Sequence, residues 1–299
     1  GWGVGFKLMQ AFAKNNGISF SRLAPLLDFC AVSIAADLVP VEGENRILAY
    51  HGLKQLNQNP SIGLKAIIDI CGLEGKDVSM SDIIFKIGPR INASGRIDNG
   101  KQSVDLLVEK DYSKALQQAK HIDEYNEQRK DIDKQMTEEA NQIVSRIENQ
   151  KQQSSIVVYD ENWKKGVVGI VASRLTEIYF RPTVVLTKDG NLATGSARSI
   201  MGVDVYAAIK HCRDLLLNFG GHTYAAGLTL HWDDIPKFKQ RFQEYIESHI
   251  LPEQKEATLD IDAQIDFKDI SKKFFHDLKR FAPFGPSNPK PRFITKGVF

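Results

Sequence analysis

The segment Gly88–Arg96 has the sequence GPRINASGR, which holds two arginines and an asparagine but no acidic residue. Arginine presents a planar fork that matches phosphate oxygens, and glycine lets the backbone approach an anion closely. We therefore predict that Arg90, Asn92 and Arg96 contact a phosphate group. The alternative is a structural turn whose arginines pair with surface acids. The Gly, Pro, Asn and Ser content predicts a loop in either case.

Two further segments, GSARS at Gly195–Ser199 and FGGH at Phe219–His222, combine the same residue types. The first places hydroxyl groups around an arginine. The second places a histidine after a glycine pair that is predicted to form a turn. A lone histidine usually has a structural role, but exposure on such a turn favours ligand contact. The candidate substrate-binding residues are Ser196, Arg198, Ser199, Gly220, Gly221 and His222. Trp163–Gly169 places two lysines at a predicted helix start, which is a reasonable anion site, but an ordinary solvated basic turn is the favoured interpretation.

One carboxylate, Asp37, ends the apolar run SIAADLVP. An isolated carboxylate in apolar surroundings needs a metal, a partner charge or hydrogen bonds. Asp37 is therefore a candidate metal ligand, and a helix N-terminal cap is the equally weighted alternative. For Asp28, nine residues earlier, the capping interpretation is the stronger one.

The composition describes a globular chain: 299 residues, 42% hydrophobic and 25% charged, with a formal net charge of +2. A length of this order predicts more than one core. No apolar run reaches the roughly 20 residues that a membrane span needs. The three cysteines have no CxxC pairing, which argues against a zinc site or a disulfide framework and favours a reducing cytoplasm.

The pattern changes three times along the chain. Residues 1–110 are predicted as α/β with several helices, opening in a helical pattern that we expect to be internal to a longer protein. In this part LLDFCAVSIAADLVP is predicted as a buried strand or a strand–helix junction. Residues 111–150 have apolar residues at intervals of three or four and predict one long amphipathic helix. Residues 251–299 begin with the alternating pattern of a half-exposed strand in ATLDIDAQIDF.

Residues 151–250 alternate between strand and helix patterns, which predicts an open α/β domain. SIVVYD, TVVLT and NLATGSARS are predicted strands, and Asp189-Gly190 is predicted as a hairpin turn between the last two. GVVGIVASRLTEIY and IPKFKQRFQEYIESHI are predicted helices. DVYAAIKHCRDLLLNF is predicted as one helix that ends at Gly220-Gly221.

The order of these motifs resembles the RecJ family within the DHH phosphoesterases. The matching segments are AADLVP with ENR, GPRINASGR, WKKGVVGIVASRL, GSARS, FGGHTYAAG and FAPFGPSNPKPRF. The resemblance implies the C-terminal part of a DHH domain at 1–110, a long connecting helix at 111–150, an α/β DHHA1-type substrate-binding domain at 151–250 and the beginning of an OB-fold domain at 251–299. Many relatives have a histidine where this chain has Lys164, so that position receives no catalytic role.

The resemblance also implies roles for individual residues. Asp37 matches the fourth metal-ligand motif, whereas the family's Asp-x-Asp and Asp-His-His motifs are expected before residue 1. Arg90, Asn92 and Arg96 match the catalytic motif beside the metals that holds the substrate phosphate. Ser196, Arg198 and His222 match the DHHA1 positions that grip the single strand.

The implied reaction is 5′ to 3′ hydrolysis of single-stranded DNA in recombination and repair, with two Mn²⁺ or Mg²⁺ ions. The 299 residues alone are expected to be inactive, because one aspartate does not hold two ions. The implied partners are single-stranded DNA, with single-strand-binding protein and a recombination helicase as further candidates. No membrane contact is implied, and the implied location is a bacterial cytoplasm.

Two alternatives remain open from the sequence. One is a DHH-family oligoribonuclease or cyclic-dinucleotide phosphodiesterase; the start of a further domain at FGPSNPKPRF argues against these compact enzymes. The other is a non-catalytic DNA-binding relative, against which the joint presence of Asp37, the arginine motifs and His222 argues.

Overall fold

A computed structural model describes residues 2–147 and 153–297, which divide into two compact units. The first unit comprises residues 1–126 with 259–299, and the second comprises residues 127–258. The helices are α1 Trp2–Asn15, α2 Leu27–Ala36, α3 Gly43–Gln58, α4 Ile62–Ile70, α5 Met80–Asp82, α6 Gly88–Ile97, α7 Lys101–Val108, α8 Tyr112–Ser145, α9 Val168–Tyr179, α10 Val205–His211, α11 Ile235–His249 and α12 Lys272–Lys279. The strands are β1 Ile156–Asp160, β2 Thr183–Asp189, β3 Leu192–Arg198, β4 Leu216–His222, β5 Ala225–His231, β6 Ala263–Gln264 and β7 Phe293–Ile294. In the described part of the chain, no helix combines the length and the apolar character needed to cross a membrane.

Helix α2 lies at the centre of the first unit and is almost completely buried. The prediction of a strand or a strand–helix junction here is wrong. The run LDFCAVSIAA is apolar on every side because it is surrounded, and a short, uniformly apolar run does not distinguish a buried helix from a buried strand. Helix α3 packs closely against α2, and a Cβ on Gly52 of α3 would lie 2.8 Å from the Ala31 Cβ.

The loop predicted at GPRINASGR is also wrong, because Gly88–Ile97 is helix α6. It continues a helical run that begins with α5 and passes through a π-helical segment, Ile83–Ile87. The glycine at the start of α6 serves packing rather than a turn: a Cβ on Gly88 would lie 3.1 Å from the Ala36 Cβ. Pro89, which has no N–H to donate, directly follows the π-helical segment as the second residue of α6.

The long helix predicted over 111–150 is α8, 34 residues from Tyr112 to Ser145. Residues 148–150 of the predicted range lie outside the described residues. Its N-terminal part contributes Ala115, Ala119 and Ile122 to the core of the first unit. Its C-terminal part contributes Met136, Ala140 and Val144 to a core of the second unit.

The second unit is built on a five-stranded sheet in the order β1-β2-β3-β5-β4, with β1 and β2 parallel and the other pairs antiparallel. Helices α10 and α11 cover one face through a core that includes Phe238 and Phe242. Helix α9 and the end of α8 cover β1 and β2 on the other face. The predicted strands and the hairpin after Asp189 are confirmed.

The single helix predicted from Asp204 to Gly220 is wrong in its second half. Helix α10 ends at His211, a 3₁₀ turn follows at Arg213–Leu215, and β4 runs from Leu216 to His222. Leucines at 215–217 fit either element, but asparagine and two glycines are poor helix formers. Pairing with β5 therefore decides the outcome.

The last segment contains little regular strand. The strand expected over ATLDIDAQIDF is reduced to β6, two residues that pair in parallel with β7. One backbone bond on each side extends the pairing, from Asp262 N to Arg292 O and from Ile265 N to Ile294 O.

Candidate nucleic-acid interface

The helical conformation of α6 separates the three residues predicted to act together. Asn92 and Arg96 are four residues apart and both exposed, so they lie on one side of the helix. Arg90 lies on another side: its Nε donates a 2.7 Å hydrogen bond to Asp123, and its Nη1 donates to the Lys86 carbonyl at 3.0 Å. The side chain of Arg90 is only 15% exposed. The structure therefore gives Arg90 the acid pairing that was the alternative interpretation.

Asp37 follows the last residue of α2, where it caps the C-terminus rather than an N-terminus. A carboxylate is unfavourable there, because the helix dipole is negative at its C-terminal end. Its neighbour Ala36 contacts Gly88, so the first turn of α6 lies close to Asp37. Asp37 is exposed and accepts one long hydrogen bond, 3.5 Å, from the Ser33 hydroxyl. The capping interpretation thus does not explain Asp37.

Asp28, by contrast, has a structural role. It is fully buried and accepts 2.7 Å hydrogen bonds from the backbone N–H groups of Phe29 and Ser61, the second of which directly precedes α4. Burial raises the pKa of this carboxyl, and the hydrogen bonds from Ser61 partly oppose the rise.

A metal centre does not fit the residues that the structure describes. Among them, no group of three or more His, Cys, Asp or Glu side chains could hold an ion. Asp37 alone supplies one oxygen donor group, whereas Mg²⁺ and Mn²⁺ sites require several.

The second unit brings its predicted residues together on one open face of the sheet. Side chains of paired residues point to the same face, and alternate residues along a strand share it. We call this surface the polar shelf, and it consists of three rows taken from β3, β5 and β4: Arg198, Ala225 and His222; Ser196, Gly227 and Gly220; and Thr194, Thr229 and Asn218. With strands about 4.8 Å apart, the Cα atoms of Arg198 and His222 are roughly 10 Å apart.

Arg198 is held in place by its own strand and by helix α9. Its Nη1 donates to the Ser196 hydroxyl at 2.6 Å and to the Ala197 carbonyl at 2.8 Å. The first turn of α9 approaches these two side chains closely, since a Cβ on Gly169 would lie 3.0 Å from Arg198 Nη2. The positive end of a helix dipole thus lies beside a guanidinium and a hydroxyl, an arrangement suited to an anion.

His222 ends β4 and is exposed, with its Nδ1 accepting a 3.3 Å hydrogen bond from Tyr224 N. The two preceding glycines differ. Gly221 has a φ of 153°, and a Cβ there would overlap the Ala225 carbonyl, so this position requires glycine. A Cβ on Gly220 would meet nothing within 4 Å, and this residue is exposed on the polar shelf.

Ser199 differs from the other predicted contacts. Its hydroxyl donates to the Val203 carbonyl at 2.7 Å, and its N–H donates to the Tyr224 carbonyl at 3.0 Å. It therefore fastens the loop after β3 to the turn after β4. The predicted turn at FGGH is itself a strand, so the histidine is positioned by pairing with β5 rather than by a loop.

Sequence reasoning did not single out Gly169 or Gly227, which lie at the same site. The signal for Gly227 was available: it interrupts the strand pattern AAGLTL, and a glycine inside a strand often marks a close approach by a ligand or another backbone. For Gly169 the sequence predicted only a helix start, because its contact with Arg198 and Ser196 depends on which helix turn meets β3.

Comparisons with known proteins show what the chain as a whole is similar to. The family model described as "DHHA1 domain" matches residues 136–248, and the model described as "RecJ OB domain" matches residues 261–299. Single-stranded-DNA-specific exonuclease RecJ of Bacillus subtilis (strain 168) is 35% identical over 300 residues, which covers 100% of this chain. The chain is similar to RecJ along its whole length.

Other RecJ proteins match over a similar length. The RecJ of Escherichia coli (strain K12) is 32% identical over 98% of this chain. The crystal structures of Thermus thermophilus RecJ in complex with Mg²⁺ and with Mn²⁺ have TM-scores of 0.87 and 0.88 at 27% identity, over 97% and 98% of this chain and 44% and 43% of the crystallised chains. The chain spans 37% of the length of the Bacillus relative and 54% of the Escherichia relative.

Proposed function

We propose that this chain is the substrate-handling part of a metal-dependent exonuclease that digests single-stranded DNA from 5′ to 3′ in recombination and repair. The observation that carries the proposal is the polar shelf, where Arg198, Ser196 and His222 share one face beside the first turn of α9. A guanidinium, a hydroxyl and helix N–H groups suit the phosphate of a nucleic-acid backbone. The RecJ relatives are single-stranded-DNA-specific exonucleases, and they supply the substrate class.

The exposed pair Asn92 and Arg96, with Asp37 near the start of α6, is proposed as the catalytic side of the same activity. Arg90 is proposed to act there while its guanidinium is hydrogen-bonded to Asp123, not as a fully exposed cation. Mn²⁺ or Mg²⁺ is the proposed cofactor, because RecJ of Thermus thermophilus was crystallised with each ion. Asp37 is the one proposed ligand among the described residues.

Protein partners and location belong to the same proposal. Single-strand-binding protein and a recombination helicase are proposed on the family resemblance alone. A bacterial cytoplasm is the proposed location, since the matching relatives are bacterial. Free thiols at all three cysteines agree with a reducing compartment.

The first experiment measures binding of the 299-residue chain to a 5′-phosphorylated oligothymidylate by fluorescence anisotropy. Arg198→Ala is expected to weaken binding about tenfold, since a charge-assisted hydrogen bond contributes roughly 1.5–3 kcal/mol. His222→Ala is expected to act in the same direction with a smaller effect. The matched control is Arg241→Ala, because Arg241 lies on α11, across the sheet, and is paired with Asp214.

Affinities of Arg198→Ala and His222→Ala that equal the wild-type value would exclude the polar shelf as the DNA-binding surface. A salt titration adds an independent readout: loss of one phosphate contact lowers the slope of log K against log salt by about 0.7 for a single strand. The same preparation is expected to show little Mn²⁺-dependent digestion, and robust digestion would contradict the interpretation of Asp37 as a single remaining ligand.

A further inference from the structure

The polar shelf continues beyond the residues that the proposed phosphate contact uses. A depression of about 310 Å³ lies over its second and third rows. It is lined by Thr194, Gly195, Asn218, Phe219, Gly220, Gly227, Leu228 and Thr229. Pockets for small ligands span about 300–1,000 Å³, so this depression accommodates one small group rather than a length of chain.

The floor of the depression is bare backbone. Gly220 and Gly227 pair directly across β4 and β5 and are both exposed. Neither has a positive φ, so the backbone conformation does not require glycine. A Cβ on Gly220 would meet nothing within 4 Å, and one on Gly227 would meet only the Gly195 carbonyl, at 3.8 Å.

Glycine is unfavourable inside a strand, by roughly 0.5–1 kcal/mol relative to alanine. Packing within the protein does not explain these two glycines either. A flat group that rests on the peptide planes does explain them, because any side chain at either position would lift it off the sheet.

The rim of the depression carries hydrogen-bonding groups that the described part of the chain leaves available. The side chains of Asn218, Thr229 and Thr194 make no hydrogen bond to any described residue. An asparagine amide offers both a donor and an acceptor, and a threonine hydroxyl can serve as either. This combination complements the edge of a heteroaromatic ring.

We propose that this depression is a nucleobase subsite, in which a base lies flat on Gly220 and Gly227 with its edge toward Asn218 and Thr229. The inference rests on the proposed function, because the phosphate of the same nucleotide would lie over the row of Arg198 and His222. Adjacent rows are two residues apart along a strand, about 6.6 Å. The base and its phosphate therefore occupy neighbouring rows of one surface.

The test uses Gly227→Val in the 299-residue chain. Valine suits a strand and, at this position, would fill the depression while leaving Arg198 and His222 in place. The matched control is Gly5→Val, since Gly5 is exposed on α1 and a Cβ there meets nothing within 4 Å. Both variants are compared with Arg198→Ala and the wild type by anisotropy.

The ligands are 5′-phosphorylated oligothymidylates, one intact and the others with a single abasic site moved through the first four nucleotides. Gly227→Val is expected to weaken binding of the intact oligonucleotide about tenfold, equal to about 1.4 kcal/mol. With the abasic site at one particular position, the wild type and Gly227→Val are expected to bind equally. Arg198→Ala is expected to weaken binding to every ligand, since the phosphates remain.

The outcomes separate the two proposals. If Arg198→Ala weakens binding and Gly227→Val does not, the base subsite is wrong and the phosphate contact stands. If Gly227→Val weakens binding to every abasic ligand equally, the depression does not hold a base. If neither variant has an effect, both proposals fail. If Gly227→Val lowers the melting temperature, Gly227→Ala and Asn218→Ala are tested in its place. Each of these variants must then show the same dependence of binding on the position of the abasic site.

Discussion

The two arginine-bearing segments of this chain have similar compositions but different architectures. GPRINASGR forms helix α6, and its candidate residues diverge: Asn92 and Arg96 face outward, whereas Arg90 turns to Asp123. GSARS lies on strand β3, where Ser196 and Arg198 share one face. The helical period of 3.6 separates residues two apart, whereas the strand period of 2 aligns them.

A similar contrast applies to the glycines of α6, β4 and β5. Gly88 on α6 is buried and allows close packing against α2, and Gly221 on β4 is required by conformation. At Gly220 and Gly227, neither packing within the protein nor the backbone conformation requires glycine. Similar composition therefore does not imply a similar role. The atoms around each glycine show whether it allows close packing or leaves a surface open to a ligand.

The strongest test of this contrast substitutes the adjacent glycines of β4. Gly221→Ala is expected to destabilise the protein by about 3 kcal/mol or more, because its Cβ would overlap the Ala225 carbonyl in a strained conformation. Gly220→Ala is expected to stabilise the protein by about 0.5–1 kcal/mol, because glycine is unfavourable inside a strand and the added Cβ meets nothing within 4 Å. Urea denaturation measures both, and equal effects would remove the distinction between them.

The second test concerns the ion pair of α6. Arg90→Ala is expected to destabilise the protein by roughly 1–2 kcal/mol, because Asp123 loses a charge-assisted hydrogen bond in a partly buried position. Asp123→Ala should act in the same direction, and the double variant should lose less than the sum. If Arg90→Ala instead weakened DNA binding at unchanged stability, α6 and the polar shelf would be alike in function after all.

The smallest expected effect is at the start of the helical run that leads to α6. Ser79 and Asp82 form a capping box there, and Lys86 donates a 2.8 Å hydrogen bond to the Asp82 carboxylate. Burial alone would raise the pKa of Asp82, but the hydrogen bonds from Lys86 and Ser79 lower it from 3.8 to about 2. Asp82→Asn is therefore expected to reduce stability near neutral pH by about 1 kcal/mol.

The sign of the pH dependence follows from the lowered pKa. The carboxylate stabilises the fold fully above its unfolded-state pKa of 3.8, and this stabilisation is lost as the pH falls toward about 2. The melting temperatures of wild type and Asp82→Asn should thus converge as the pH falls from 3.8 to about 2. Asp105→Asn is the matched control, an exposed carboxylate of α7. A gap that persisted at the lowest pH would contradict the assignment.

Much of the architecture was predictable from the amino-acid sequence alone. The long helix α8, the strands β1 to β3 and the hairpin after Asp189 follow from apolar periodicity and turn chemistry, which are local properties. The candidate substrate-binding residues also came from local composition, since arginine, serine, glycine and histidine occur together in GSARS and FGGH. Their roles remain predictions that the binding experiments address.

Only the tertiary structure decided which of these residues share a surface. An apolar run such as α2 and a glycine-rich segment such as α6 are locally compatible with strand or loop, and burial against neighbouring helices made them helical. FGGH became a strand because β5 supplied backbone partners. That pairing aligns Arg198 with His222 across β5 and exposes Gly227 in the neighbouring row. Register between distant strands depends on long-range hydrogen bonds, which no local pattern in one sequence contains.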